Sequence, residues 1–263
     1  MSVLAGNVLL TGATGGIGQA TARALAARGA KLVLTGRRAN VLEALAREVG
    51  GRALVCDFGD HDDVERLIQA SGEVDVVIAN AAMPGSGHVL ALAQDQIDRM
   101  LEVNLRAPIR LARAFGAGMA ERGRGHLVFI SSLNGKAATP RTAMYCAAKF
   151  GLRGFALALR DDLAPDGVGV SLVYPGFVRD AGMFVESGVR LPRYVATRSP
   201  EQVAGGVLRA IEQNRAEVTV APALLRVSTT FASLLPQLAS SLSRRLGGEK
   251  LAIEIAEGQA GKR

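Results

Sequence analysis

Short runs rich in β-branched residues alternate along this chain with longer stretches of helical periodicity, and this alternation limits the fold more than any other feature. The runs are NVLLT (7–11), KLVLT (31–35), RALVC (52–56), VDVVIA (74–79), HLVFIS (126–131), GVSLVY (169–174) and EVTVA (217–221). Segments between them, such as QATARALAARG and VLEALAREVG, space apolar residues three and four apart and close on a glycine that stops the helix. Strand, helix, strand repeated in this way requires right-handed crossovers onto a parallel sheet. An α/β sheet of about seven parallel strands, doubly wound with helices on both faces, is expected. At 263 residues, 49% of them hydrophobic and 21% charged, the chain can build that core as one domain.

The same composition sets several functions aside. No run approaches the ~20 apolar residues of a membrane-spanning helix. The opening MSVLAGNVLLTG has no basic leader and reads as a first strand rather than a signal peptide, so the expected location is cytoplasmic. Cys56 and Cys146 are the only cysteines, and neither has a metal-ligand or redox spacing; no metal is expected. The net charge of +7 is spread over short separated groups, Arg37/Arg38, Arg122/Arg124 and Arg244/Arg245, with no basic stripe carrying interleaved aromatics. Nucleic acid is not an expected partner.

TGATGGIG, Thr11 to Gly18, follows the first strand and opens the first helix, the context in which a glycine pattern becomes informative. Gly12 permits a tight turn. The later glycines let backbone approach a pyrophosphate and pack helix on strand, while the helix N-terminus offers free N–H groups to the phosphates. Gly12, Thr14, Gly15, Gly16, Ile17 and Gly18 therefore mark a Rossmann fold that holds a dinucleotide. Two glycine spacings fit at once, Gly12/Gly16/Gly18 and Gly12/Gly15/Gly18, and the loop alone does not separate them. The second strand ends in TGRR. Gly36 stands where NAD-binding chains place a carboxylate for the ribose, and Arg37 and Arg38 follow, so a 2′-phosphate meets guanidinium while a free 2′-hydroxyl meets no acid. NADP(H) is expected in preference to NAD(H).

Ligands of open α/β sheets bind beyond the carboxyl ends of the strands. Asp57, Asn80, Ser131, Ser132 and Pro175-Gly176 fall at those ends. In the following YCAAK, Tyr145 and Lys149 are four apart on a predicted helix and share one face. An ammonium about 4 Å from the phenol, at an effective dielectric of about 20, is worth roughly 4 kcal/mol, enough to lower a tyrosine pKa by about three units. A tyrosinate near neutrality is the expectation.

Taken in order, TGATGGIG, ANAA, EVNL, ISS, YCAAK and YPG resemble the motifs of the short-chain dehydrogenase/reductase family, over residues 5 to about 221. The resemblance selects the Gly12/Gly16/Gly18 spacing, because the larger sugar-nucleotide enzymes of the wider superfamily add a C-terminal substrate domain for which this chain has no room. It implies an NADP(H)-dependent oxidoreductase that interconverts a ketone or aldehyde and an alcohol, assembled as a homo-oligomer, dimer or tetramer. Tyr145 would then exchange the proton with the substrate oxygen. Lys149 would hold the nicotinamide ribose and depress the tyrosine pKa, Ser132 would hydrogen-bond the carbonyl, and Asn104 would support a water leading protons to bulk. Asp57 and Phe58 would meet the adenine, and Asn80, Ala81 and Ala82 would line the cofactor. Pro175 and Gly176 would continue that wall to Val178, which would touch the carboxamide. Two positions depart from the family pattern: NAA replaces NAG, and Asp180 replaces a threonine. An inward carboxylate at 180 would repel the phosphates, so Asp180 is expected to face outward.

The substrate loop is expected over 177–199. Phe177, Met183, Phe184, Val185 and Leu191 read as an apolar lid or as loop packing, and Leu133 and Met144 as pocket wall; the expected substrate is apolar. Arg179, Arg190 and Arg193 either recognise an acid group or are solvated. A dinucleotide-binding and catalytic domain over 1–221 is followed by an amphipathic extension and tail, 222–263. No acidic residue occurs in 218–248, and Val227, Phe231, Leu234, Leu235, Leu238, Leu242 and Leu246 recur at helical spacing broken by Pro236. Two short helices and a frayed tail from about Gly247 are expected. They cover the pocket or form a subunit contact, lie on an anionic membrane through residues 222–246 with Arg226, Arg244 and Arg245, or cap the core. A non-catalytic dinucleotide sensor is the alternative function; it should lack one of Ser132, Tyr145 and Lys149, and all are present.

Overall fold

The strand-forming runs pair edge to edge in one sheet. In the computed structural model, which describes residues 3–180, 182–189, 196–245 and 248–262, the strands are β1 (Asn7–Leu10), β2 (Lys31–Gly36), β3 (Arg52–Val55), β4 (Val76–Ala79), β5 (Gly125–Ile130), β6 (Val168–Pro175) and β7 (Glu217–Val220). They lie in the order β3-β2-β1-β4-β5-β6-β7, every pair parallel. This is the doubly wound sheet expected from the alternation. Every residue of β4, β5 and β6 is buried, as a parallel strand covered on both faces requires.

The pleat divides the apolar residues into two layers. Val8 and Leu10 point to the side covered by α1 (Gly16–Ala26), α2 (Ala39–Val49) and α7 (Pro200–Glu212), where Leu25, Leu42 and Val207 are buried. Leu9 points to the other, packed with Leu67 of α3 (His61–Ser71), Met100 of α4 (Gln94–Leu101), Leu111 of α5 (Ala107–Glu121) and Leu152 of α6 (Ala143–Leu163). Each fully buried leucine contributes about 1.5–3 kcal/mol. Ends are fixed locally: Asp60 caps α3 by accepting from the Asp62 and Asp63 N–H groups, and Gly50 stops α2 at φ +66°.

The strand order reverses at β1, whose neighbours are β2 and β4, and the crevice at that point opens beside the glycine loop. Three helices follow the last strand: α8 (Ala223–Leu234), α9 (Pro236–Arg245) and α10 (Gly248–Gly258). The third corrects the expectation of a frayed tail. Ala256 and Gln259 are buried, and Gly258 lies so close to the Ser187 carbonyl that a Cβ there would overlap it. This last helix is held by packing against the segment at Ser187. Leu191, Arg190, Arg193 and Leu246, singled out above, lie outside the described residues.

Candidate active site

The glycine loop is shaped by what its neighbours leave room for. Gly12 has φ +62°, and a Cβ there would come within 2.8 Å of the Ala81 Cα; one at Gly18 would lie 2.7 Å from the Ala13 Cα. Gly15, by contrast, would meet only the Gly12 carbonyl at 3.5 Å. Gly12 and Gly18 are thus required by packing, and the lack of a side chain at Gly15 leaves the outer side of the loop open to close approach. No side chain caps α1, which begins after Gly15. Asn80 fastens this loop to the end of β4: its Nδ2 donates to the Thr11 and Gly12 carbonyls at 2.9 and 3.1 Å, and the Thr11 hydroxyl accepts from the Asn80 and Ala81 N–H groups.

Arg37 and Arg38 are both exposed at the end of β2, but they are not equivalent. One Arg38 nitrogen donates to the Thr14 carbonyl at 2.5 Å, bracing the glycine loop. A Cβ at Gly36 would press on Thr14 at 3.0 Å, so the position that NAD-binding chains give to a carboxylate is crowded here. Asp57 accepts from Arg99 at 2.7 Å and from the Gly59 N–H at 2.9 Å. Burial pushes its pKa up, but those two partners outweigh it and hold the carboxyl below its ordinary value. Phe58 is 5% exposed, with its side chain in the core beneath the sheet, so it offers no ring to an adenine.

A cavity of about 1190 Å³ runs from Ile17, Asn80 and Ala82 past Ser132, Tyr145 and Lys149, along Pro175, Gly176 and Val178, to α8, α9 and α10. Ser132 is extended after β5, and its Oγ accepts from the Asn134 N–H at 3.2 Å. Lys149 is 2% exposed and donates to the Ile130 carbonyl at 3.0 Å. Burial lowers its pKa to about 8. Burial raises Tyr145 to about 12, against a hydrogen bond with Ser132 that lowers it. This reverses the expected direction: the spacing brings Lys149 to 5.7 Å from the centre of the ring, but withdrawal of the phenol from water sets the shift. Ser131, next to Ser132, has a buried hydroxyl with no protein partner among the described residues.

Asn104 sits in a short π-helical segment, Glu102–Arg106, between α4 and α5. Its amide is engaged by one residue, accepting from the Met83 N–H at 3.1 Å and donating to the Met83 carbonyl at 3.0 Å. Leu133, Phe177, Met183 and Phe184 line the cavity, with the two phenylalanine rings edge to face at 5.1 Å. Met144 does not; it is partly buried against the core. Val185 is 43% exposed, and Asp180 faces solvent beside Arg179. Among the described residues no cluster of metal-ligating side chains occurs.

Two wall residues had no signal in the sequence. Gln259 donates to the Met183 carbonyl at 3.0 Å and accepts from the buried Ser86 hydroxyl, joining the segment after α10 to the loop that carries Met183 and to the segment after β4. The inner side of α8 and α9, including Leu225, Thr229, Ala232 and Ala239, completes the outer wall of the cavity.

The family model for short chain dehydrogenases matches residues 6–189. Ketoacyl reductase HetN of Nostoc sp. is 35% identical over 230 residues, covering 84% of this chain and 80% of its own. A short-chain dehydrogenase from Sphingobium yanoikuyae, solved in complex with NADPH, superposes with a TM-score of 0.77 at 25% identity over 89% of this chain and 95% of its own. Actinorhodin polyketide ketoreductase, solved with NADPH, gives 0.75 at 29% identity over 85% and 99%. The ordered motifs, the doubly wound sheet and these likenesses agree: the chain is an oxidoreductase of the short-chain dehydrogenase/reductase family.

Proposed function

We propose that this protein is an NADP(H)-dependent oxidoreductase that interconverts an apolar ketone or aldehyde and the corresponding alcohol, with Tyr145 as general acid/base. The observation that carries the reading is the placement of Ser132, Tyr145 and Lys149 along one wall of a largely apolar cavity that reaches the glycine loop. A dinucleotide fits the residues present: Gly15 leaves the outer side of the loop open where a side chain would stand, and α1 begins without a side-chain cap. Arg37, Arg38, Asp57 and the turn Asn80 to Ala82 would hold its adenosine end; Lys149, Pro175, Gly176 and Val178 would hold its nicotinamide end.

When bound, the nicotinamide supplies or accepts the hydride. The chain's own residues manage the oxygen. Ser132 donates to the substrate carbonyl and fixes it beside Tyr145. In reduction the Tyr145 hydroxyl gives its proton to that oxygen as the carbon becomes tetrahedral, and Lys149 stabilises the phenolate left behind until solvent returns a proton. A tyrosine pushed up to about 12 carries, at neutral pH, the proton that reduction needs. Leu133, Phe177, Met183 and Phe184 would enclose the apolar part of the substrate. Asn104 acts through the Met83 backbone, holding the segment after β4 in place. A cytoplasmic location and a homo-oligomeric assembly belong to the same reading.

The test is a fluorescence titration with NADPH and with NADH, followed by NADPH consumption with apolar ketones. Tight NADPH and weak NADH binding with turnover that Tyr145→Phe abolishes supports the reading. Tight binding without turnover of any carbonyl supports a dinucleotide sensor instead.

A further inference from the structure

We propose that the α8–α9 hairpin docks on an anionic bilayer and that the cavity receives its carbonyl substrate from there, so that the substrate class is a membrane-partitioned, long-chain ketone. The substrate half rests on the oxidoreductase reading above; the docking half does not.

The hairpin is apolar on the side away from the cavity as well as on the side that lines it. Among the described residues no side chain of α8 is buried, and Leu224, Val227, Leu234 and Leu238 are 72%, 68%, 73% and 60% exposed. Of the twelve large hydrophobic side chains exposed among the described residues, seven fall between Leu224 and Leu242; Phe231 and Leu242 line the cavity, and the other five do not. Scattered exposed leucines need no explanation, but a contiguous set on one hairpin marks an interaction surface. α8 packs on α9 and α9 on α10, which in turn meets the turn at Val185–Ser187, so the other described elements leave this outer side uncovered.

Charge decides between occupants. No acidic residue occurs over 218–248, where Arg226, Arg244 and Arg245 are the charged side chains. A second copy docked through the same surface would bring two all-cationic sets together, because a two-fold interface repeats the same patch on both sides. An anionic bilayer complements Arg226 and Arg245, which do not line the cavity, and the leucines between them.

The cavity supplies the link to chemistry. Leu225, Thr229, Ala232 and Ala239 of the same two helices line its outer wall, and it continues from them to Tyr145. An apolar chain leaving the bilayer beneath the hairpin therefore enters a mainly apolar cavity past Leu225, Phe231 and Leu242, with Ser228, Ser240, Ser241 and Arg244 at its mouth.

The experiment uses the full chain and vesicles of phosphatidylglycerol with phosphatidylcholine, or of phosphatidylcholine alone. The wild type is expected to sediment with the anionic vesicles and much less with the neutral ones. The double variant Leu224→Glu/Leu238→Glu is expected to lose at least about tenfold in vesicle affinity. Neither side chain lines the cavity, so NADPH-dependent turnover of a short water-soluble ketone should not change in it, while turnover of a long-chain methyl ketone dissolved in the vesicles should fall. Arg226→Ser/Arg245→Ser provides a second variant that leaves the apolar side intact and should lose the preference for anionic vesicles. A wild type that stays in the supernatant while reducing the short ketone overturns the docking and leaves the oxidoreductase reading standing; vesicle binding with turnover of neither ketone does the reverse. Oligomers that the leucine variant converts to monomers would make the hairpin a subunit contact and also overturn the proposal.

Discussion

The Lys149 ammonium lies over the Tyr145 ring, 5.7 Å from its centre, and gives a hydrogen bond to the Ile130 carbonyl at 3.0 Å, so it is anchored on the end of β5 while facing the ring. With Lys149 lowered to about 8 and Tyr145 raised to about 12, the protein at neutral pH holds a charged lysine beside a protonated tyrosine. The kcat/KM for carbonyl reduction should be level below pH 8 and fall above it as Lys149 loses its proton. Alcohol oxidation, which needs the phenolate and the charged lysine together, should rise with pH to about 8 and level off above it. A reduction profile that climbs through pH 8 would contradict the assignment of Lys149.

Tyr145→Phe removes the proton donor and leaves the ring in place. We expect a loss of about 10²–10⁴ in kcat, the range of general acid catalysis, with NADPH affinity and thermal midpoint unchanged. Single-turnover rates beside a fluorescence titration check both halves.

Arg37 and Arg38 should separate in their effects. Arg37→Ala should weaken NADPH binding about ten- to a hundredfold, the worth of one charge-assisted hydrogen bond, without lowering stability. Arg38→Ala should lose affinity and also about 1–2 kcal/mol of stability, because the Thr14 carbonyl loses its donor at 2.5 Å. Equal thermal midpoints for the two variants would remove the bracing role.

His126, 4% exposed and hydrogen-bonded to the Ser171 hydroxyl at 2.8 Å, sets an acid limit on the fold. Burial, with the Arg160 charge added, lowers its pKa from 6.5 to about 4. The unfolded chain therefore takes up a proton as pH falls below 6.5 while the fold does not, and about 3 kcal/mol is lost by pH 4. Glu217 acts in the next window: burial raises its pKa, but Arg153, Tyr174 and Lys136 outweigh this and hold it at about 2, so its stabilisation is present above 4.5 and is lost as pH falls toward 2. Urea midpoints of the wild type and His126→Gln, measured from pH 7 to 4, should converge if His126 carries the first window.

Gln259→Ala removes the clasp between the end of the chain and Met183. The loop should then be cut by trypsin several-fold faster at Arg179 and Arg198 than in the wild type. An unchanged cleavage rate would show that α10 holds the loop without this side chain.

The strands were readable because each carries its own β-branched run and each helix its own period; both signals are local. So was the glycine loop, whose spacing reports what a turn against Ala13 and Ala81 can accommodate. What the sequence hid depends on distance and on burial. Ser86 and Gln259 are 173 residues apart, and neither stands out from its neighbours. The glycine pair before Glu249 and Lys250 made α10 look like the start of a tail. Phe58 and Met144 looked like ligand contacts, but apolar side chains beside a sheet end settle into the core unless something holds them out. The sign of the Tyr145 shift was missed for a related reason: a spacing of four fixes the neighbour, not the amount of water.

The hairpin of α8 and α9 enters from the end of β7 and leaves into α10 as one uninterrupted length of chain, and the residues that would carry the chemistry all precede it. It is in effect a replaceable panel. Exchanging residues 223–245 for those of a relative would change the size and polarity of what the cavity admits while keeping Ser132, Tyr145 and Lys149 in register, which makes this segment the natural place to alter selectivity.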